Sequence, residues 1–414
     1  MARLERDILV TEPVAQLLRR APVLDGHNDL FWELREISAN NFARTPLDRP
    51  LPTTQTDLPR LRAGGVGAQF WSVFVPQQEA GAAAVTATLE QIDAVIRATR
   101  AYPDSLVFAR TADDVEAAWH GGLIAGLIGA EGGHSINNSL AVLRLLHALG
   151  VGYLTLTHND NVDWADSATD EPVHHGLSVF GRQVVTEMNR LGMFVDLSHV
   201  SAETMRDALA VTQAPAIFSH SSAYALCDSP RNVPDDVLAS LAAQGGLCMV
   251  TFVPKFVNQR VCDWDRAAQA EAVAAGIRPQ DYREYSAFTA EFARRTPQPS
   301  ARLSDVADHI EHIRAVAGIN HVGLGGDFDG MGATPEGLED VSRYPKLVAE
   351  LVDRGWSSAD VAKLTSGNAL RVLRERDAVA HALQQRISPS LATFDGLDAH
   401  SPDGVSSGSM SERT

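Results

Sequence analysis

The stretch VLDGHNDL, residues 23–30, changes character halfway along. Its apolar start, Val23 and Leu24 after Pro22, gives way to three ionisable groups in five residues, Asp25, His27 and Asp29, with Gly26 among them. Alternate side chains of an extended strand share a face, so His27 and Asp29 project together. One reading is a polar turn after a strand, with an incidental histidine. The other is a pair of metal ligands, one imidazole and one carboxylate. The rest of the chain decides between them.

Short apolar, β-prone runs recur at 21–27, 67–75, 122–131, 152–158, 193–199, 215–220, 246–252 and 321–329. Helical patterning fills the gaps, as in AAVTATLEQIDAVIRATRAY, SLAVLRLLHALG, FGRQVVTEMNRLG, SAETMRDALAV and SDVADHIEHIRAVAG, several closed by glycine. Eight strand-to-helix alternations, with strands apolar on both faces, predict an α/β fold of the (β/α)8 TIM barrel type. The predicted organisation is a single barrel over 1–385 with an insertion around 254–302, followed by a polar tail over 386–414.

Six of the eight predicted strands end on a metal-capable or acidic residue: His27 with Asp29, Glu131, His158, His199, His220, and Asp327 with Asp329. In such a barrel the C-terminal strand ends surround one mouth, where active sites lie. The stretch at 23–30 therefore ends in polar groups because the first strand delivers ligands to that mouth. A set of histidines and carboxylates suits Zn2+ or a similar divalent ion. Five or more ligands favour two ions over one. Glu131 is the candidate bridge, at the separation of roughly 3.5 to 4 Å usual for two-metal hydrolases.

The remaining composition narrows the function classes. With 52 acidic and 35 basic residues the net charge is −17, which disfavours binding to nucleic-acid phosphates or anionic lipid. The opening MARLERDILVTEPVAQLL is interrupted by charges, and no run approaches the roughly 20 apolar residues of a spanning helix, so a cytoplasmic location with no membrane partner is expected. Cys227, Cys248 and Cys262 lack C-x-x-C spacing, which argues against a zinc ribbon or a disulfide framework.

The motifs DGHNDL, EGGHSI, YLTLTHNDNVDWAD, DLSHVS, IFSHSSAYALCDSPRNVPDDVL and VGLGGDFDG with PEGLEDVSRYPKLVAEL, in this order between residues 22 and 373, resemble the membrane (renal) dipeptidase family, peptidase family M19, of the amidohydrolase-type metal barrels. The resemblance implies a zinc-dependent dipeptidase that tolerates a D-residue at the C-terminal position. It implies that His27 and Asp29 bind one zinc, that His199 and His220 bind the other, and that Glu131 bridges them. His158 would contact the scissile carbonyl or its oxyanion, Arg231 the substrate carboxylate, and Asp327 would serve as acid and base. Family members often form dimers, and on that basis alone a homodimer is expected. Cys227 and Cys262 lie near positions that pair in secreted relatives, but a cytoplasmic location argues against that bond. The polar ending SPDGVSSGSMSERT does not suggest a lipid-anchor signal.

Two zinc ions sharing a water would lower its pKa and supply a bridging hydroxide as nucleophile, so neither a serine nor a cysteine nucleophile is needed. The chain offers no G-x-S-x-G, and Cys248 falls inside an apolar strand. Asp329 is read as a supporting neighbour of Asp327, and His134 as a residue near Glu131 or at a helix start. His174, His175, His309 and His312 are read as solvated. The alternative function on the same barrel is a metal-dependent amidohydrolase acting on another amide, a lactam or an ester, which would not need Arg231. A non-catalytic metal or peptide-binding barrel is disfavoured, because all five ligands and Asp327 are intact.

Overall fold

The computed structural model describes residues 12–398, through which run β1 (Val23–Asn28), β2 (Val66–Phe74), β3 (Leu106–Phe108), β4 (Ile124–Glu131), β5 (Val151–Thr155), β6 (Phe194–Asp196), β7 (Ile217–Phe218), β8 (Leu247–Val250) and β9 (Val322–Leu324). Neighbouring strands pair in parallel, and β2 pairs with both β1 and β4. That double pairing closes eight strands into a barrel in the order β1-β2-β4-β5-β6-β7-β8-β9. All eight predicted strands are present. β3 was not predicted: it occupies the lower part of the β4 edge, at Ile124 to Gly126, where β5 has not yet begun to pair. Three residues are too few for an apolar period to register.

His27 and Glu131 lie within the ends of β1 and β4, but several other strands are shorter than their apolar runs suggest, so their polar residues lie just beyond them. β5 stops three residues before His158, β6 three before His199 and β7 two before His220. All nine residues of β2 are buried, as expected where helices cover the outside and side chains fill the inside. Leu24, Phe70, Leu127, Tyr153, Phe194 and Met249 belong to one cluster, with Leu370 and Leu373 of the helix Asn368–Gln384. Serine hydroxyls start three of the outer helices, Ser139, Ser178 and Ser201 accepting from the backbone N–H of Val142, Gly181 and Thr204. Gly150 and Gly192, at φ 108° and 83°, end two of them in the left-handed region that other residues avoid.

The segment 254–302 is helical, at Pro254–Val257, Gln259–Ala274 and Tyr282–Arg295. Trp264, Ala268, Ala272, Tyr285 and Phe292 give it a small core of its own. It is fastened to the barrel by Arg278 on Asp160 at 2.6 Å, by Arg283 on Glu36 at 2.8 Å, and by Tyr282 edge-on to Trp32 and Phe74. Residues before Asp398 also pack on the barrel, since Arg144 donates to the Ser390 carbonyl and the Ser178 hydroxyl to Asp398. The predictions for residues 1–11 and for the tail from 399 lie outside the described residues. No helix among the described residues is long and apolar enough to cross a membrane.

Tyr153 lies flat on β4: a Cβ added to Gly129 would sit 1.9 Å from its ring. Gly129→Val is therefore expected to destabilise the protein by about 1–3 kcal/mol through overpacking. A lower midpoint of urea unfolding with an unchanged slope is the expected result, and an unchanged midpoint would contradict this packing.

Candidate active site

Glu131 ends β4 with its carboxylate buried in the mouth, where the Ser72 hydroxyl donates to its Oε2 at 3.1 Å. Three imidazoles converge on it. His199 Nε2 and His220 Nε2 lie 3.1 and 3.4 Å from Glu131 Oε1, and His27 Nε2 lies 3.4 Å from Oε2. His27 Nε2 is 3.2 Å from Asp29 Oδ2, and the Nε2 atoms of His199 and His220 are 3.0 Å apart. The ligand-capable atoms fall into three overlapping groups, each within 4.8 Å: His27, Glu131 and His220; Glu131, His158 and His199; His27, Asp29 and Asp327.

These contacts fit a metal better than they fit one another. A tetrahedral zinc, with bonds of about 2.0–2.1 Å, holds its ligand atoms about 3.3 Å apart, close to the spacings found. Asp29 Oδ1 is buried without a hydrogen-bond partner among the described residues, as an oxygen reserved for a cation would be. Burial holds the pKa values of His199 and His220 well below the ordinary range, and lowers that of His158. Neutral imidazole is the ligand form. Burial works against charge on Glu131 too, but His27, His199 and His158 overcome it and keep the carboxylate ionised. At His27 burial is outweighed by Tyr153, Glu131 and Asp29, which hold its pKa well above 6.5, a local demand for positive charge.

Two hydrogen-bond chains orient the histidines. With Nε2 facing the carboxylates, His27 Nδ1–H donates to the Tyr153 hydroxyl at 2.8 Å, and that hydroxyl donates to the Gly26 carbonyl at 3.3 Å. His220 Nδ1–H donates to Ser219 Oγ at 2.8 Å, and Ser219 donates to Asp196 at 2.6 Å. Asp25 accepts from the backbone N–H of His27 and Gly326 and from the Tyr344 hydroxyl, tying β1 to the end of β9. Burial pushes Asp25 up to about 6. Tyr153, Asp196 and Tyr344 were missed as supporting residues. Tyr153 and Asp196 sit inside apolar runs that read as core, whereas Asp25 shares its strand face with His27 and was the detectable one.

His158 lies beside this group, its Nε2 4.0 Å from Glu131 Oε1 and its ring against Phe74 and His199. Asp327 Oδ1 is 3.9 Å from His27 Nε2. Burial, reinforced by Asp29 and Glu131 against His27 and Arg231, raises the Asp327 pKa well above 3.8. That shift favours the protonated form, which an acid delivering a proton to a leaving group needs. Asp329 points elsewhere. Its Oδ1 accepts from Gln55 N at 2.6 Å, and its own N–H donates to the Gln55 side chain at 2.8 Å, fastening the loop before residue 57 to the mouth. The alternation of a strand would put Asp327 and Asp329 on one face, but β9 ends at Leu324 and both aspartates have positive φ, 63° and 67°.

Arg231 is 2% exposed, yet its guanidinium has only two long contacts, Ser221 Oγ and the His220 carbonyl, both at 3.5 Å. Its Nε has no partner among the described residues, and burial lowers its pKa to about 10. His134 Nε2–H donates to the Val75 carbonyl at 2.9 Å, beside a short 3-10 turn. His309 corrects the solvated reading: it is buried, accepting from Ala223 N and facing the Val257 carbonyl. The helix Leu303–Ala317 turns it inward with Val306, Ile310 and Ile313. Cys227 and Cys262 are free thiols, and the Cys227 thiol donates to the Lys255 carbonyl at 3.5 Å.

Removing the acceptor for His27 isolates the value of its orientation. Tyr153→Phe is expected to weaken metal binding about 10- to 100-fold, the usual effect of losing such a partner. Competition against a metal-binding dye measures it, and unchanged affinity would remove Tyr153 from the site.

Comparison with known proteins agrees with this geometry. The family model described as membrane dipeptidase (peptidase family M19) matches residues 11–387. The chain is 43% identical over 390 residues to "Dipeptidase aclJ" of Aspergillus oryzae, covering 92% of this chain and 84% of that protein. Its fold resembles the crystal structure of the probable dipeptidase PvdM from Pseudomonas aeruginosa (TM-score 0.78, 24% identity, 90% of this chain and 99% of that one). It also resembles a metallo peptidase from Rhodobacter sphaeroides liganded with a phosphinate mimic of the dipeptide L-Ala-D-Ala (TM-score 0.72, 25% identity, 86% and 99%). With the family model spanning nearly the whole chain and clusters of side chains able to hold a metal gathered at one barrel mouth, this chain belongs to the membrane dipeptidase family, peptidase family M19, and is a metallo-dipeptidase.

Proposed function

We propose that the enzyme holds two Zn2+ ions, His27 and Asp29 on one, His199 and His220 on the other, with Glu131 between them, and that it cleaves the single peptide bond of dipeptides. The convergence of three imidazole Nε2 atoms on one buried carboxylate, at 3.1 to 3.4 Å, carries this reading. Ions bound there would acidify a shared water and polarise the substrate carbonyl. Tolerance of a D-residue at the second position draws support from the phosphinate mimic of L-Ala-D-Ala held by the Rhodobacter sphaeroides neighbour.

The residues around the metals then divide the work. Asp327, with its raised pKa, accepts the proton of the attacking water and returns it to the leaving amine, one carboxyl serving both steps. His158, held neutral by burial, presents an N–H to the carbonyl oxygen as charge develops there. Arg231 pairs with the substrate's terminal carboxylate. Its fork of donors has few contacts within the protein, and a carboxylate supplies the matching acceptors. This clamp limits the substrate to two residues, since a longer peptide places an uncharged amide against a buried guanidinium.

Asp327→Asn keeps volume but carries no proton, so kcat is expected to fall by about 100-fold or more while metal content is retained. Full activity would exclude Asp327 as the acid and base. Arg231→Met is expected to lower kcat/KM for a dipeptide by about 2 to 5 kcal/mol of transition-state binding, and to affect the corresponding dipeptide amide much less. Equal hydrolysis of dipeptide and amide by the parent enzyme would contradict the clamp and favour an amidohydrolase of broader scope.

A further inference from the structure

We infer that the preferred dipeptides carry an acidic side chain on their C-terminal residue, and that Lys255 recognises it. The inference rests on the proposed role of Arg231, which fixes where the C-terminal residue lies. Arg231 forms part of the wall of a cavity of about 770 Å³, bounded by the loops after β5 and β7 and roofed by the helices of the 254–302 segment. That space is far larger than the side chain of alanine requires, and its size is typical of sites that enclose small ligands.

The charge of this wall runs against the charge of the molecule. The chain as a whole carries −17, yet the cavity is lined by four cations, Arg231, Lys255, Arg266 and Arg278, and one carboxylate, Asp265. Arg266 and Arg278 are taken up by Asp228 and Asp160, at 2.7 and 2.6 Å. Lys255 is less committed. Its Nζ lies 3.3 Å from Asp265 Oδ2, but Asp265 already accepts from the Tyr285 hydroxyl at 2.9 Å and from Gln269 at 2.8 Å. Burial raises the pKa of the Tyr285 hydroxyl, so it stays protonated and donates. An ammonium has three donors, and this one, 37% exposed, keeps donors for the cavity.

Arg231 and Lys255 both pack against the Phe256 ring, whose centroid lies 5.1 Å from the guanidinium carbon and 5.8 Å from Nζ. A residue whose α-carboxylate pairs with Arg231 and whose methylenes cross Phe256 brings a side-chain carboxylate to Lys255. A glutamine side chain gives Lys255 only a neutral acceptor, and a lysine side chain meets two cations.

Measuring kcat/KM for Ala-Glu, Ala-Gln and Ala-Lys, each with L and D second residues, tests the inference. Ala-Glu is expected to exceed Ala-Gln by about tenfold or more in the better configuration, with Ala-Lys poorest. In Lys255→Met the Glu-to-Gln ratio should fall to within about twofold of unity, and in Lys255→Glu the order of Ala-Glu and Ala-Lys should reverse. Each ratio is taken on one protein, so partial loss of folded enzyme cancels. Equal rates for Ala-Glu and Ala-Gln, or a ratio unmoved by either substitution, would overturn the inference. Comparison of Ala-Gln with its C-terminal amide separates the two readings: equal rates there remove the Arg231 clamp and this inference with it. A preference for the free acid without a preference for glutamate removes this inference alone.

Discussion

The structure turns on one buried carboxylate. Glu131 sits in a barrel mouth from which water is largely excluded, facing the nitrogens of His27, His199 and His220. A buried ion costs several kcal/mol unless it is closely paired, and His199 and His220, kept neutral by burial, are weak partners. Cations bound among these groups, as proposed, would resolve the conflict, with each histidine fixed by a bond on its far nitrogen or by its place beyond a strand. Tyr153 on β5 and Ser219 after β7 supply two of those bonds, so the barrel wall and the metal centre depend on the same residues. Gly129 belongs to this arrangement as well, because only the absence of its side chain lets the Tyr153 ring lie against β4.

Much of this was legible in the chain. Apolar runs located the eight strands, and the histidine or acid at the end of six of them located the mouth, because burial on both sheet faces disfavours such groups along the body of a strand. Features set by tertiary contact were not legible. β3 is three residues of pairing that the β4 edge imposes on a segment without a period of its own. Asp327 and Asp329 look like one alternating face, but the backbone leaves the strand at Leu324 and sends one to His27 and the other to Gln55. His309 has the sequence surroundings of a charged helix, and its burial follows from the two backbone groups it bridges. Asp196 and Tyr344 act on the centre through intermediaries that no local pattern reveals.

The segment at 254–302 links fold to selectivity. The sequence marked it as an insertion in the barrel, and the structure shows it carrying its own core and three attachments to the barrel. It brings Lys255, Asp265 and Tyr285 to the wall of the cavity beside Arg231. In the proposed reading, metals at the mouth would make amide cleavage available to any substrate that reaches them, and the arginine and this segment would decide which substrates do. Chemistry and selection would then sit on separate elements, the first on strand ends and the second on the loops and helices above them.

The central claim is that Glu131 is shared by two zinc ions. Metal analysis of protein purified without chelators tests it directly, on the parent and on His27→Ala, His220→Ala and Glu131→Ala. The account predicts close to two zinc equivalents per chain in the parent, loss confined mainly to one ion in each histidine variant, and loss of both ions in Glu131→Ala. A folded Glu131→Ala protein that retains two equivalents, or a parent that binds only one at saturating zinc, would contradict it.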